Sequence, residues 1–135
     1  FTYAINNGKQ SCAGTLIEFQ QAPAISEVTL NLSPASVVED GTAALDFTFT
    51  VTPAASTDLP VNFLLEGTAE DDDDFSVSTP GANNETVNYI TKAGAGNNTG
   101  TITIKANATT GVLRISPTSD TVLESDETVK VTIQN

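Results

Sequence analysis

The chain has 135 residues, which is the size of one domain, and its 17 acidic and 5 basic residues give a formal net charge of -12. Such an acidic surface repels nucleic-acid phosphates, so nucleic-acid binding is excluded. Histidine, methionine and tryptophan are absent, and one cysteine is present. The chain therefore lacks the residues of histidine catalysis, cysteine/histidine zinc sites and haem ligation, and we expect no enzyme. No apolar run approaches the ~18 residues of a membrane span.

Six segments alternate apolar and polar residues with the period of two that is typical of a strand with one buried face. In the clearest segment, Leu45, Phe47 and Phe49 alternate with Asp46 and Thr48. The six predicted strands are 28–32, 45–51, 61–65, 101–106, 112–116 and 128–134. Because no segment has a sustained helical period, these strands predict an all-β, antiparallel sandwich.

Two regions lie outside this pattern. Residues 1–25 form an N-terminal extension, with β-prone runs at 1–5 and 15–19. Residues 75–99 form a Gly/Asn-rich insertion with a weak strand at 86–90, and we expect this insertion to run over the surface. The predicted organisation is therefore an extension at 1–25 and a sandwich at 26–135 that carries the insertion.

The acidic residues concentrate in three connections between the predicted strands. If consecutive strands run up and down, the connections after the first, third and fifth strands share one end, and 12 of the 17 acids lie there. Their repulsion is on the order of several kcal/mol unless a cation lies among them. Carboxylates from several loops suit Ca²⁺ better than Mg²⁺, which keeps its waters in a strict octahedron. We expect a calcium site; the alternative is an acidic surface that only keeps the domain soluble.

Four motifs occur in a fixed order along the sandwich: Glu39-Asp40-Gly41, PVNFLLEGTA at 60–69, Asp74-Phe75, and VLESDETVKVTI at 122–133. Together they resemble the Calx-β domain, the calcium-binding module of sodium/calcium exchangers, an integrin β subunit and many bacterial surface proteins. The resemblance covers roughly residues 28–135. It implies an immunoglobulin-like sandwich at an extracellular or cell-surface location.

The resemblance also implies a set of calcium ligands. By position, the family's ligands fall on Glu39, Glu66, Asp120, Glu124 and Glu127. The acidic run before Phe75 can add a ligand of its own, so Asp71 and Asp74 join the candidates. Glu70, Asp72 and Asp126 are expected to be solvated. We expect one or two calcium ions rather than a larger cluster.

A seven-stranded sandwich of this family has one more strand after the strand predicted at 128–134. This chain has none there, and the β-prone residues 1–19 are the candidate inside the sequence to replace it. They can fold back in cis or complete a neighbouring copy by strand addition, which would place Cys12 near the junction. The remaining alternative is a strand that lies beyond residue 135.

The leading functional hypothesis is a calcium-rigidified extracellular module for adhesion, matrix or filament assembly, with polymerisation by strand donation as one route. Its expected partners are calcium ions and either further copies of itself or neighbouring surface-protein domains. The alternative is a calcium-sensing regulatory domain cut from a larger membrane or surface protein. Carbohydrate binding is disfavoured because the chain has no tryptophan and two tyrosines for stacking on sugars.

Overall fold

The computed structural model describes residues 25–39, 41–71, 73–80, 85–89, 94–95, 98–121 and 125–134. These residues form strands and no helix, which confirms the all-β prediction, and none of their elements is a helix that could span a membrane. The strands are β1 (Glu27–Ser33), β2 (Leu45–Thr52), β3 (Leu59–Gly67), β4 (Glu70–Asp71), β5 (Phe75–Ser78), β6 (Glu85–Tyr89), β7 (Gly94–Ala95), β8 (Asn98–Ile104), β9 (Thr110–Pro117) and β10 (Val129–Gln134).

The strands form two sheets. The first has the order β1-β2-β9-β5-β4-β7, and the second has the order β10-β3-β8-β6. The longer strands pair antiparallel throughout, whereas the two-residue β4 makes one parallel bridge to β5. Apart from the two-residue strands, each sheet therefore has four strands, and the fold is a β-sandwich as the alternation predicted.

The two sheets stack strand over strand. Phe49 of β2 contacts Phe63 of β3, with ring centroids 6.4 Å apart. A methyl group added at Gly111 of β9 would lie 2.9 Å from Cγ1 of Ile104 in β8. β1 therefore lies opposite β10, at one side of the sandwich. The buried apolar core comprises Phe47, Phe49, Val51, Val61, Phe63, Leu65, Phe75, Ile102, Ile104, Leu113, Ile115 and Val131.

Residues 75–99 contribute to both sheets, so the expected surface excursion is wrong for two of its segments. β5 pairs with β9, and β6 pairs with β8. Phe75 is only 2% exposed because it packs into the core between the sheets. The seventh and eighth strands of the sandwich thus come from inside the chain, while the edge of β10 opposite β3 has no strand partner among the described residues.

Three connections meet at one end of the sandwich. The register places Ser33 beside Asp46, Gly67 beside Val129, and Phe75 beside Pro117. The connections 34–44, 68–74 and 118–128 therefore share one end, which we call the acidic end. β1 begins and β10 ends at the opposite end, because Glu27 pairs with Thr52 and Gln134 pairs with Asn62.

Candidate functional site

A cavity of about 680 Å³ opens between the sheets at the acidic end. All three connections of this end line it, together with the adjoining ends of the strands. Its apolar lining includes Leu32, Leu45, Phe75, Ile115 and Val129. Its carboxylates come from each of the three connections in turn, and they are Glu39, Asp74, Asp126 and Glu127.

Hydrogen bonds tie the three connections to one another. The backbone N–H of Asp120 donates to Oε1 of Glu39 at 3.2 Å. The backbone N–H of Thr118 donates to the carbonyl oxygen of Asp74 at 2.8 Å. The connection 118–128 is therefore fixed on one side to 34–44 and on the other side to 68–74.

Asp74 also closes its own turn. Its carboxylate accepts a hydrogen bond from the backbone N–H of Glu70, and its backbone N–H donates to the carbonyl oxygen of Glu70 at 2.9 Å. Short polar side chains favour such turns because they bond to nearby backbone groups. One acid of the run before Phe75 thus shapes the loop as well as lining the cavity.

Gly67 allows the connections 68–74 and 118–128 to approach closely. Its φ is +152°, and a methyl group added there would lie 1.9 Å from the carbonyl oxygen of Thr128. That oxygen accepts hydrogen bonds from the backbone N–H groups of Thr68 at 3.0 Å and Ala69 at 3.3 Å. The N–H of Thr128 donates in turn to Oγ1 of Thr68 at 2.9 Å. A glycine is therefore required where β3 leaves the sheet beside the cavity.

The basic side chains of the described residues are engaged away from the cavity, and none of them lines it. At the opposite end of the sandwich, Lys105 pairs with Asp58 at 2.9 Å. On the outer face of the first sheet, Arg114 binds both carboxylate oxygens of Asp46 at 2.7 Å. The third pair, on the outer face of the second sheet, joins Lys130 to Glu66 at 3.3 Å.

The structure brings together part of the predicted ligand set. Glu39, Asp74 and Glu127 line the same cavity, and Asp120 reaches Glu39 through its backbone. Glu66 does not line the cavity, because it lies on the outward face of β3 beside Lys130. Glu124 and the side chain of Asp71 lie outside the described residues.

Asp126 lines the cavity although the sequence favoured a solvated position for it. Its place next to Glu127, in the same connection, was the signal that could have indicated this. No three Asp, Glu or Cys side chains in the described part of the chain converge closely enough to hold a metal ion. The cavity therefore gathers carboxylates around an opening without assembling a complete coordination shell.

Three carboxyl groups outside the cavity have shifted pKa values. Hydrogen bonds from Arg114 lower the pKa of Asp46, and that of Asp58 is lowered by the backbone N–H of Ala106 and then by Lys105. Burial raises the pKa of Glu85, which is 6% exposed at the start of β6. Asp46 and Asp58 thus favour the ionised form through their partners, whereas Glu85 favours the neutral form.

Comparisons with protein-family models, with curated proteins and with solved structures give no match for this chain. The resemblance to Calx-β domains therefore remains a prediction from the motifs.

Proposed function

We propose that this chain is a calcium-binding structural module of an extracellular or cell-surface protein, serving adhesion, matrix or filament assembly. The observation that supports it best is the cavity at the acidic end. Carboxylates from all three connections line that cavity, while Lys105, Arg114 and Lys130 are engaged with other acids. An external cation would supply the positive charge that none of the described basic residues brings to the cavity.

The chemistry of the cavity suits calcium among the divalent cations. Ca²⁺ takes about 6 to 8 oxygen ligands in flexible geometry, and it accepts backbone carbonyls and waters beside carboxylates. Glu39, Asp126 and Glu127 lie on surface connections, where an ion from solvent can reach their carboxylates. An ion held by these residues would join the connections 34–44 and 118–128 more firmly than the hydrogen bond from Asp120 to Glu39 does, which is the mechanical role of a rigidified module.

Calorimetric titration with Ca²⁺ tests the proposal through single neutral substitutions. Glu39→Gln and Glu127→Gln preserve side-chain size and remove one charge each from the cavity. Each should weaken Ca²⁺ binding by roughly tenfold or more, since a charge-assisted ligand is lost. A parallel titration with Mg²⁺ should show weaker binding to the intact chain.

Asp46→Asn and Asp58→Asn are matched controls, because both carboxylates lie outside the cavity and pair with basic side chains. Their calcium affinities should equal that of the intact chain. If all four variants bind alike, or if the intact chain binds no calcium, the acidic end serves only solubility and the proposal is wrong.

A further inference from the structure

Among the described strands, β10 is an edge of the second sheet, next to an open side of the core. Beyond β3, β10 pairs with no other described strand. Its inward-facing Val129 and Ile133 are only partly buried, in contrast to Phe63 and Leu65 on the neighbouring β3. A backbone edge with unpaired hydrogen-bonding groups invites a further strand.

The opposite sheet is open on the same side. β1 lies across from β10, and its inward-facing residues Val28, Leu30 and Leu32 are also only partly buried. Both edge strands thus expose the flanks of apolar residues that face each other across the sandwich. A strand added to β10 would cover both rows.

We infer that residues 15–19 of this same chain add to the free edge of β10 as a parallel strand and close the open side of the core. These residues precede β1 in the chain and lie outside the described residues. This strand addition does not depend on calcium.

The position of β1 determines the direction in which residues 15–19 can pair with β10. β1 begins at the end of the sandwich where β10 ends. The linker 20–26 has seven residues and spans at most about 23 Å, which is ample for the ~10 Å between sheets. A segment entering there runs parallel to β10. Antiparallel pairing in cis would require the linker to travel the ~20 Å length of β10 as well, which leaves no slack.

The short linker also favours the same chain over a second copy. A segment tethered by a few residues is present at an effective concentration of about millimolar, whereas a second copy in solution is usually far more dilute. Addition in cis therefore precedes donation to a neighbour.

The side chains of residues 15–19 match the edge. Ile17 and Phe19 lie on one face of a strand, and Glu18 lies on the other. With Ile17 and Phe19 turned towards the core beside Val131 and Ile133, Glu18 lies on the outer face, where Lys130 is exposed. The apolar pair covers the open core, and Glu18 lies beside Thr132 on the outer face, one position along that face from Lys130, which also pairs with Glu66.

Amide hydrogen exchange on the full-length chain tests this pairing. Ile17→Asp places a charge on the face turned to the core and should accelerate exchange in β10 by about tenfold or more. Leu16→Asp makes the same chemical change on the opposite face and should leave β10 unchanged. The strands β2 and β9 serve as the internal reference, because neither touches the added strand.

A disulfide cross-link gives a second measurement that does not depend on the Ile17 variant. In a Cys12→Ser background, the pair Glu18→Cys and Thr132→Cys should form an intramolecular disulfide in a monomer, at a rate independent of protein concentration. Thr99→Cys replaces Thr132→Cys in the control, since Thr99 lies outward on β8, two strands away. A cross-linked dimer assigns the edge to a second copy and overturns the cis strand. No cross-link beyond the control, with equal exchange in both aspartate variants, overturns strand addition altogether.

Discussion

Glu85 is a buried carboxyl group whose charge the fold does not accommodate. It packs over Gly111, and both of its carboxyl oxygens lack a hydrogen bond to any described residue. Burial raises its pKa above 4.5, and the nearby backbone N–H of Val112 opposes the shift without reaching hydrogen-bond geometry. The stability that the neutral group contributes is complete below pH 4.5, its unfolded value, and is lost as the pH rises through the folded pKa.

Glu85→Gln should therefore stabilise the protein at neutral pH and leave it little changed below pH 4.5. The amide keeps the shape of the side chain and removes the cost of burying a charge. Thermal melts across pH measure this difference, and each kcal/mol gained raises the Tm by roughly 3–6 °C in a domain of this size. An equal shift at both ends of the pH range would assign the effect to packing rather than ionisation.

Substitution of Gly67 tests whether the connections 68–74 and 118–128 depend on a glycine for their close approach. Gly67→Ala should cost at least about 2 kcal/mol of folding free energy, because the new methyl group meets the carbonyl oxygen of Thr128 and φ is unfavourable for alanine. Thr68→Ala at the neighbouring position removes only hydroxyl contacts with Thr128 and should cost about 1 kcal/mol. Denaturant unfolding compares the two, and similar losses would contradict the role assigned to the glycine.

The alternation of apolar and polar residues predicted six strands, and the structure has each of them within a few residues of its predicted bounds. It succeeded there because each strand has one face in the core. β6 was anticipated as a weak strand, but β5 was missed. Only Phe75 and Val77 are apolar in β5, and the serines between them are also typical of loops. Its burial depends on pairing with β9, a distant partner that local periodicity does not indicate.

Phe75→Ser should destabilise the protein by about 3–5 kcal/mol, since a buried aromatic side chain of β5 is replaced by a small polar one. Ser76→Ala on the exposed face of the same strand should change stability by less than about 0.5 kcal/mol. Chemical denaturation measures both. If the Phe75 variant is as stable as the Ser76 variant, residues 75–78 form a surface loop rather than a core strand.

For the whole molecule, the shared end of the three connections was predictable even though the strand count was not. β5 runs from the acidic end to the opposite end, and β6 runs back again. The connection 118–128 therefore stays at the acidic end, where 34–44 and 68–74 lie. The partner of Glu66 was not predictable, because Lys130 faces it only through the long-range register of β10 on β3. The backbone contact from Asp120 to Glu39 likewise depends on how distant loops meet.

If the acidic end binds calcium in the folded state alone, calcium must raise the melting temperature, and a pair of thermal melts of the intact chain measures this. One melt contains a calcium chelator and the other contains millimolar Ca²⁺. A ligand at 100 times its Kd stabilises the folded state by about 2.7 kcal/mol, which corresponds to a Tm increase of roughly 10 °C here. We expect that increase in the Tm when Ca²⁺ is present. Superimposable melts would contradict calcium binding at the acidic end.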